Sequence, residues 1–164
     1  MNNPLVYDLY HRFHKLGCTV VRFNFRGVGR SQGSFDNGAG ELSDAAAVLD
    51  WMSTLYPNPS YCWVAGISFG AWIGMQLLMR RPEITGFVSI APQANLYDFA
   101  FLAPCPASGL FVHGTKDPFG SIEEMRLQIA AIPARTDLLP VEGAGHDLKR
   151  APDLIQEILE RMLF

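Results

Sequence analysis

Cysteine is scarce in this chain. Its three cysteines, Cys18, Cys62 and Cys105, form neither a CxxC pair nor a Cys/His spacing typical of a zinc site. An odd number of widely separated cysteines predicts free thiols in a reducing compartment rather than a disulfide framework. We therefore expect no metal, no cofactor and no structural disulfide, and we expect a cytoplasmic location.

Long hydrophobic runs and an excess of one charge are also missing. No apolar stretch approaches the ~20 residues that span a bilayer, and residues 1–3 have neither the basic nor the apolar part of a signal peptide. The formal net charge of −3 provides no electrostatic reason to expect a nucleic acid or an anionic membrane as partner. We therefore expect neither a nucleic acid nor a membrane as partner.

What is present is a globular composition with alternating elements. The 164 residues are 49% apolar and 18% charged, which suits one domain over 1–164. Apolar, β-branched runs alternate with segments of helical periodicity. This alternation predicts an α/β fold, a mostly parallel sheet of about five strands with helices on both faces. The predicted strands cover 19–24, 61–65, 86–91, 109–113 and 136–141, and the predicted helices cover 4–16, 41–56, 71–81, a segment after 121 and a segment from 152.

Several residues mark where these elements begin, end or lie in the sheet. Asn3 is a candidate N-cap, with Pro4 at the first helical position and Gly17 after the end. Ser121 is followed three residues later by a glutamate, the capping-box pattern. Pro140 inside the last strand predicts an edge position, because proline cannot donate to a neighbouring strand. The first helix should bury a stripe formed by Leu5, Leu9, Phe13 and Leu16.

A serine lies between the second predicted strand and the buried helix that follows it. The segment Gly66-Ile67-Ser68-Phe69-Gly70 has the G-x-S-x-G pattern of a nucleophile elbow. A tight turn needs neighbours without bulk, and Gly66 and Gly70 meet that need. Ser68 is the candidate nucleophile, and the N–H of Phe69 should face a developing oxyanion. The alternative is a glycine-rich turn with an incidental serine.

A nucleophilic serine needs a base, and the base needs a group that orients it. Asp117 follows the fourth predicted strand and His146 follows the fifth, so both should emerge at the edge of the sheet where Ser68 lies. The chain order Ser, Asp, His is the one used by α/β-hydrolases. The alternatives are an ordinary loop histidine and a turn-forming Asp-Pro.

The remaining candidates rank lower. His11 and His14 should face solvent from the first helix, and Asp147 is too close in sequence to orient the His146 ring. His113 ends a strand and is either a packed residue or part of the site's lining. The aromatic residues of segment 93–101 are a candidate pocket wall, although packing explains them equally well.

A glycine-rich loop after the first predicted strand invites a second interpretation. The spacing of Gly27, Gly29 and Gly33 resembles the dinucleotide-binding fingerprint G-x-G-x-x-G. The third glycine, however, lies one position later than in that fingerprint, and no helix begins where the fingerprint needs one to bind the phosphate. We expect Arg26 and Arg30 to brace this loop by hydrogen bonding instead.

These motifs together resemble a known family. The segments 23–31 and 66–72 are similar to those of small, lidless bacterial α/β-hydrolases related to dienelactone hydrolase, and 113–120 and 143–149 are similar to those of a neighbouring group of hydrolase-like proteins. The resemblance covers nearly the whole chain and implies Ser68 as nucleophile, His146 as base and Asp117 as its orienting carboxylate. Dienelactone hydrolase has a cysteine nucleophile where this chain has serine, so its substrate is not carried over.

The chain departs from this family at its front. In the family about three strands precede the first helix; the third lies centrally between the strands that match 19–24 and 61–65, and the loop after it supplies a second oxyanion N–H. We expect an N-terminally truncated fragment or a mispredicted start. The alternative is a minimal version in which the two flanking strands pair directly.

Two functional hypotheses follow. The first is hydrolysis of an ester or thioester of a small acyl substrate by Ser68, His146 and Asp117. The second is a non-catalytic hydrolase-like domain, or fragment, with a binding or assembly role.

Overall fold

The sheet has four parallel strands. The structure, a computed structural model, describes residues 3–149 and 153–163. Within these residues the strand order is β1-β2-β3-β4, with every pair parallel. β4 therefore lies at an edge, which confirms the position predicted from Pro140. The strands are β1 (Trp63–Ile67), β2 (Gly86–Ile90), β3 (Ser108–Gly114) and β4 (Thr136–Val141).

The predicted strand over 19–24 does not form, so the sheet has one strand fewer than expected. Residues 18–25 are not part of any strand ladder, and among the described residues β1 pairs only with β2. The segment contacts residues that flank β1 in the chain: the Cys18 sulfur lies 3.8 Å from the Tyr61 hydroxyl, and the rings of Phe25 and Phe69 are 5.8 Å apart. The propensity is present, but a strand also needs a partner backbone within hydrogen-bonding distance. Direct pairing of the two flanking segments is therefore wrong.

Five α-helices in the described part of the chain cover both faces of this sheet, as predicted. α3 and α4 pack on one face through buried side chains such as Ile73 and Met125, and α2 packs against α3. α1 and α5 pack on the other face through Leu9 and Ile158. The helices are α1 (Pro4–Lys15), α2 (Ala39–Leu55), α3 (Phe69–Leu78), α4 (Ile122–Ala130) and α5 (Leu154–Leu163).

The helix signals are confirmed with two exceptions. The Asn3 side chain accepts from the N–H groups of the first turn of α1, and Ser121 forms the expected capping box at α4. Leu16 was expected in the buried stripe of α1 but is 51% exposed, because the helix ends at Lys15 before that position can face the sheet. The predicted start of the last helix at Pro152 lies outside the described residues.

Candidate active site

Ser68 occupies a strained turn between β1 and α3. Its φ of 57° and ψ of −121° are unusual for a residue with a side chain. The Ser68 N–H donates to the carbonyl of Ile90 at 2.8 Å, which ties the turn to the end of β2. Strand, strained serine and helix therefore follow one another as the nucleophile-elbow motif predicts.

The two glycines of the elbow differ in the space available for a side chain. A Cβ on Gly66 would overlap the carbonyl group of Gly70, so residue 66 has no room for any side chain. A Cβ on Gly70 would meet only the Phe25 ring, at 3.9 Å, an ordinary contact. The expectation that residue 66 must lack bulk is therefore confirmed, whereas residue 70 has room for at least a Cβ.

Ser68, His146 and Asp117 form a continuous chain of hydrogen bonds. The Ser68 Oγ lies 2.8 Å from the His146 Nε2, and the His146 Nδ1 lies 2.8 Å from the Asp117 Oδ2. The carboxylate can only accept, so the imidazole Nδ1 is the donor and its Nε2 is left to accept from the serine hydroxyl. The Asp117 side chain is fully buried, whereas the His146 side chain is 25% exposed.

The loops after β3 and β4 are joined to each other, which places Asp117 and His146 together. The Thr115 N–H donates to the carbonyl of Val141 at 3.0 Å, and the Lys116 N–H donates to that of Ala144 at 2.9 Å. Gly114 permits this approach, because a Cβ there would overlap the Ala144 carbonyl oxygen. The loops that follow these two neighbouring strands are therefore hydrogen-bonded to each other.

Phe69 begins α3, where a backbone N–H has no intrahelical carbonyl partner. Its ring lies at the centre of an aromatic cluster, with the stacked pair Trp72 and Tyr97 on one side. Of the aromatic residues in segment 93–101, the predicted pocket wall, Tyr97 contacts Phe69. Phe99 is instead buried in the core. Ring centroids at 5.6–6.0 Å from that of Phe69 belong to Phe25, Phe35, Trp72 and Tyr97.

The glycine-rich loop is braced by Arg26, as predicted, whereas Arg30 is exposed and forms no hydrogen bond or ion pair with the described residues. The Arg26 guanidinium donates to both carboxylate oxygens of Asp44, at 2.8–3.2 Å, and the Arg26 backbone N–H donates to the same group. The hydrogen bonds from Arg26 hold the pKa of Asp44 below its usual value. Burial would raise the pKa of Glu41, but N–H donors from Asp36 and Gly38 outweigh burial and lower it. Because the Arg26 guanidinium is paired in this way, it serves to hold the loop and not to bind phosphate.

The other candidates lie as follows. His14 is exposed on α1 and His11 is half-buried there. Asp147 pairs with Lys149 at 2.8 Å rather than with His146. His113 is fully buried, with its Nδ1 3.9 Å from the Asp117 Oδ2. Among the described residues no three His, Cys, Asp or Glu side chains converge as metal ligands, and no helix is long and apolar enough to cross a membrane.

Phe119 is the site residue that the sequence analysis missed. Its N–H donates to the Asp117 Oδ1 at 2.8 Å, and its ring packs edge-on against the His146 ring at 4.8 Å. The signal was present, because an aspartate in a turn commonly accepts from the N–H two residues on.

Comparison with known proteins agrees with this fold. Residues 4–131 match the family model of the X-Pro dipeptidyl-peptidases (S15 family), a range that contains Ser68 and Asp117 but not His146. A structure from Agrobacterium tumefaciens, of unknown function and assigned provisionally to the alpha/beta hydrolases, is 53% identical, with a TM-score of 0.89 over 99% of this chain and 78% of the other. An alpha-beta serine hydrolase homologue from Coxiella burnetii is 33% identical, with a TM-score of 0.89 over 99% and 77%.

The chain belongs to the α/β-hydrolase superfamily, within the group that the S15 family model describes. A further structure, of a serine hydrolase without a lid from Xanthomonas campestris, is 32% identical over 99% of this chain and 75% of the other, with a TM-score of 0.86. An uncharacterised protein of Rickettsia prowazekii is 47% identical over 89% of this chain, which spans 65% of the length of that relative. The finer likeness to dienelactone hydrolase stays a prediction.

Proposed function

We propose that this protein is a serine hydrolase that cleaves an ester or thioester bond of a small acyl substrate. The observation that carries the proposal is the continuous hydrogen-bond chain from Ser68 through His146 to Asp117, with both links at 2.8 Å. This geometry meets the requirement that a nucleophile contact its base and that the base be oriented by a third group. The strained backbone at Ser68 is a second feature in its favour.

Each residue has one role in the proposed reaction. The Ser68 oxygen attacks the acyl carbon while His146 takes its proton, and Asp117 stabilises the resulting imidazolium. The oxyanion accepts a hydrogen bond from the Phe69 N–H. His146 then gives its proton to the departing alcohol or thiol. A water molecule then attacks the acyl carbon while the same histidine takes its proton. The bond from the acyl carbon to the Ser68 oxygen breaks, the histidine returns the proton to that oxygen, and the acid is released.

The surroundings of Phe69 support a small acyl group with apolar character. Phe35 is 60% exposed beside this ring, and Tyr97 is half-buried on another side. These rings offer apolar surface next to the residue that would bind the oxyanion. A cleft of about 540 Å³ adjoins Asp117 instead, and neither Ser68 nor His146 lines it.

Labelling with a fluorophosphonate probe tests the catalytic proposal directly, because such a probe reacts only with an activated serine. We expect the unmodified protein to label and Ser68→Ala to remain unlabelled. Ser34→Ala is the matched control: it removes an exposed serine from the glycine-rich loop and should label like the unmodified protein. Labelling of the unmodified protein no greater than that of Ser68→Ala would support a non-catalytic role and overturn the proposal.

The bond type is tested in a second experiment. Rates with p-nitrophenyl acetate, acetylthiocholine and an X-Pro p-nitroanilide separate ester, thioester and peptide cleavage. We expect the two acyl compounds to turn over faster, because an alcohol or thiol leaves more readily than an amine. A faster rate with the anilide would instead assign the peptidase activity for which the matching family model is named.

A further inference from the structure

His113 is a buried imidazole that the proposed mechanism does not use. It lies near the end of β3, four residues before Asp117, and none of its surface is exposed. Its Nε2 lies 2.8 Å from the carbonyl oxygen of Gly120. Because a carbonyl can only accept, this nitrogen carries a proton and donates it. The hydrogen bond closes the segment 113–120, which contains the carboxylate of the site.

The other nitrogen of His113 faces that carboxylate. Its Nδ1 lies 3.9 Å from the Asp117 Oδ2 and has no hydrogen-bond partner among the described residues. In the Nε2–H tautomer, Nδ1 has a lone pair and no hydrogen to donate to Oδ2. Two lone pairs cannot form a hydrogen bond, so a rotation that brings Oδ2 closer to His113 is unfavourable.

The remaining contacts of Asp117 complete this arrangement. Oδ1 accepts the N–H of Phe119 at 2.8 Å, and Oδ2 accepts the Nδ1–H of His146 at 2.8 Å. Among the residues that the structure describes, each carboxylate oxygen therefore has one donor, and His113 supplies no second donor to Oδ2. The orientation of the carboxylate is restricted from both sides.

We propose that His113 is a positioning residue for Asp117. It closes the segment 113–120 through the Gly120 carbonyl and leaves the Oδ2 of Asp117 with His146 as its single donor in the described part of the chain. The kinetic consequence rests on the proposed function, since it concerns the orientation of His146 during acyl transfer. The structural consequence, an intact His146–Asp117 hydrogen bond, does not depend on turnover.

Three substitutions separate positioning from simple filling of space. His113→Gln keeps an amide N–H of the right length for Gly120, His113→Asn is too short to reach it, and His113→Phe keeps the ring volume without any nitrogen. We expect Asn and Phe to lower kcat for p-nitrophenyl acetate about 10–100-fold with KM little changed, the size of effect that small misplacements cause. Gln should restore most of the rate.

The low-field proton resonance of the His146 Nδ1–H provides a readout independent of turnover. Asp117→Asn assigns it, because the resonance depends on that carboxylate. We expect it to shift or broaden in His113→Asn and His113→Phe and to return in His113→Gln. If the protein does not hydrolyse the ester but the resonance responds in this way, the proposed function fails while the role of His113 stands.

A double-mutant cycle gives the decisive outcome. If His113 acts through Asp117, adding His113→Asn to Asp117→Asn should change kcat less than twofold further, because residues that act as one unit are not additive. Full additivity would overturn the proposal. An unchanged resonance and an unchanged kcat in folded His113→Asn, with its Tm measured alongside, would overturn it as well. If His113→Phe does not fold, His113→Asn carries the comparison alone.

Discussion

At the scale of single residues, the orientation of His146 depends on one carboxylate oxygen. Asp117→Asn keeps the shape of the side chain but no longer ensures an acceptor at the His146 Nδ1, so the imidazole can take the wrong tautomer. We expect kcat to fall about 10⁴-fold with little change in Tm. The matched control is Asp147→Asn, an exposed carboxylate that pairs with Lys149, and it should retain the rate. Equal losses in both variants would contradict the assignment of Asp117.

The elbow glycines give a second prediction at this scale. Gly66→Ala places a Cβ on the Gly70 carbonyl group and should destabilise the protein by more than about 3 kcal/mol or prevent folding. Gly70→Ala is the control: it adds only an ordinary contact in the first turn of α3 and should be neutral or stabilising by up to about 1 kcal/mol. Thermal unfolding of both variants is the measurement. Similar Tm values for the two would show that the elbow has room at residue 66.

At the scale of elements, the glycine-rich loop is attached to α2 by an ion pair. Arg26 lowers the pKa of Asp44 from its usual 3.8, chiefly through the side-chain hydrogen bonds between them. A lowered folded-state pKa stabilises the fold above the unfolded value, and this stabilisation is lost as the pH falls through the folded value. Asp44→Asn should therefore cost about 1–2 kcal/mol at pH 7, since the pair is partly exposed.

Acid titration checks the origin of this effect. The difference in Tm between the unmodified protein and Asp44→Asn should shrink towards zero in strong acid. Asp8→Asn, which changes an exposed carboxylate on α1, serves as the control and should leave Tm unchanged at both ends of the range. A difference between the unmodified protein and Asp44→Asn that stays constant with pH would point to packing rather than charge.

At the scale of the whole molecule, apolar side chains remain exposed beside β1. Val21, Phe23 and Trp63 are each more than a third exposed, and the described residues place no strand on that side of β1. Exposed apolar surface next to an unpaired strand favours association. Phe23→Thr should lower both the binding of the dye ANS and the concentration-dependent increase in mass measured by light scattering.

Leu127 is the control for this prediction, because it is 75% exposed on α4, away from β1. Leu127→Thr should change dye binding and association much less than Phe23→Thr does. If the two substitutions act equally, the association is a general property of exposed apolar residues, and the surface beside β1 has no special part in it.

The sequence by itself determined the local features of this protein. Strand and helix periodicity predicted the alternation of elements, Asn3 and Ser121 predicted two helix starts, and Pro140 predicted an edge strand. The G-x-S-x-G pattern predicted the elbow at Ser68. Each of these signals acts within a few residues of the chain, so it can be recognised before the fold is known.

Only the tertiary structure decided the features that depend on distant neighbours. The segment 19–24 has strand propensity but no ladder, because pairing needs a second backbone that propensity cannot supply. The spacing of Asp117 and His146 predicted the same sheet edge, but their 2.8 Å contact follows from the joined loops after β3 and β4. Likewise the sequence left His113 as either a packed residue or part of the site's lining, and only the fold places its Nδ1 3.9 Å from the Asp117 Oδ2. Hydrogen bonds act over about 3 Å, and positions this accurate are set by the packed fold.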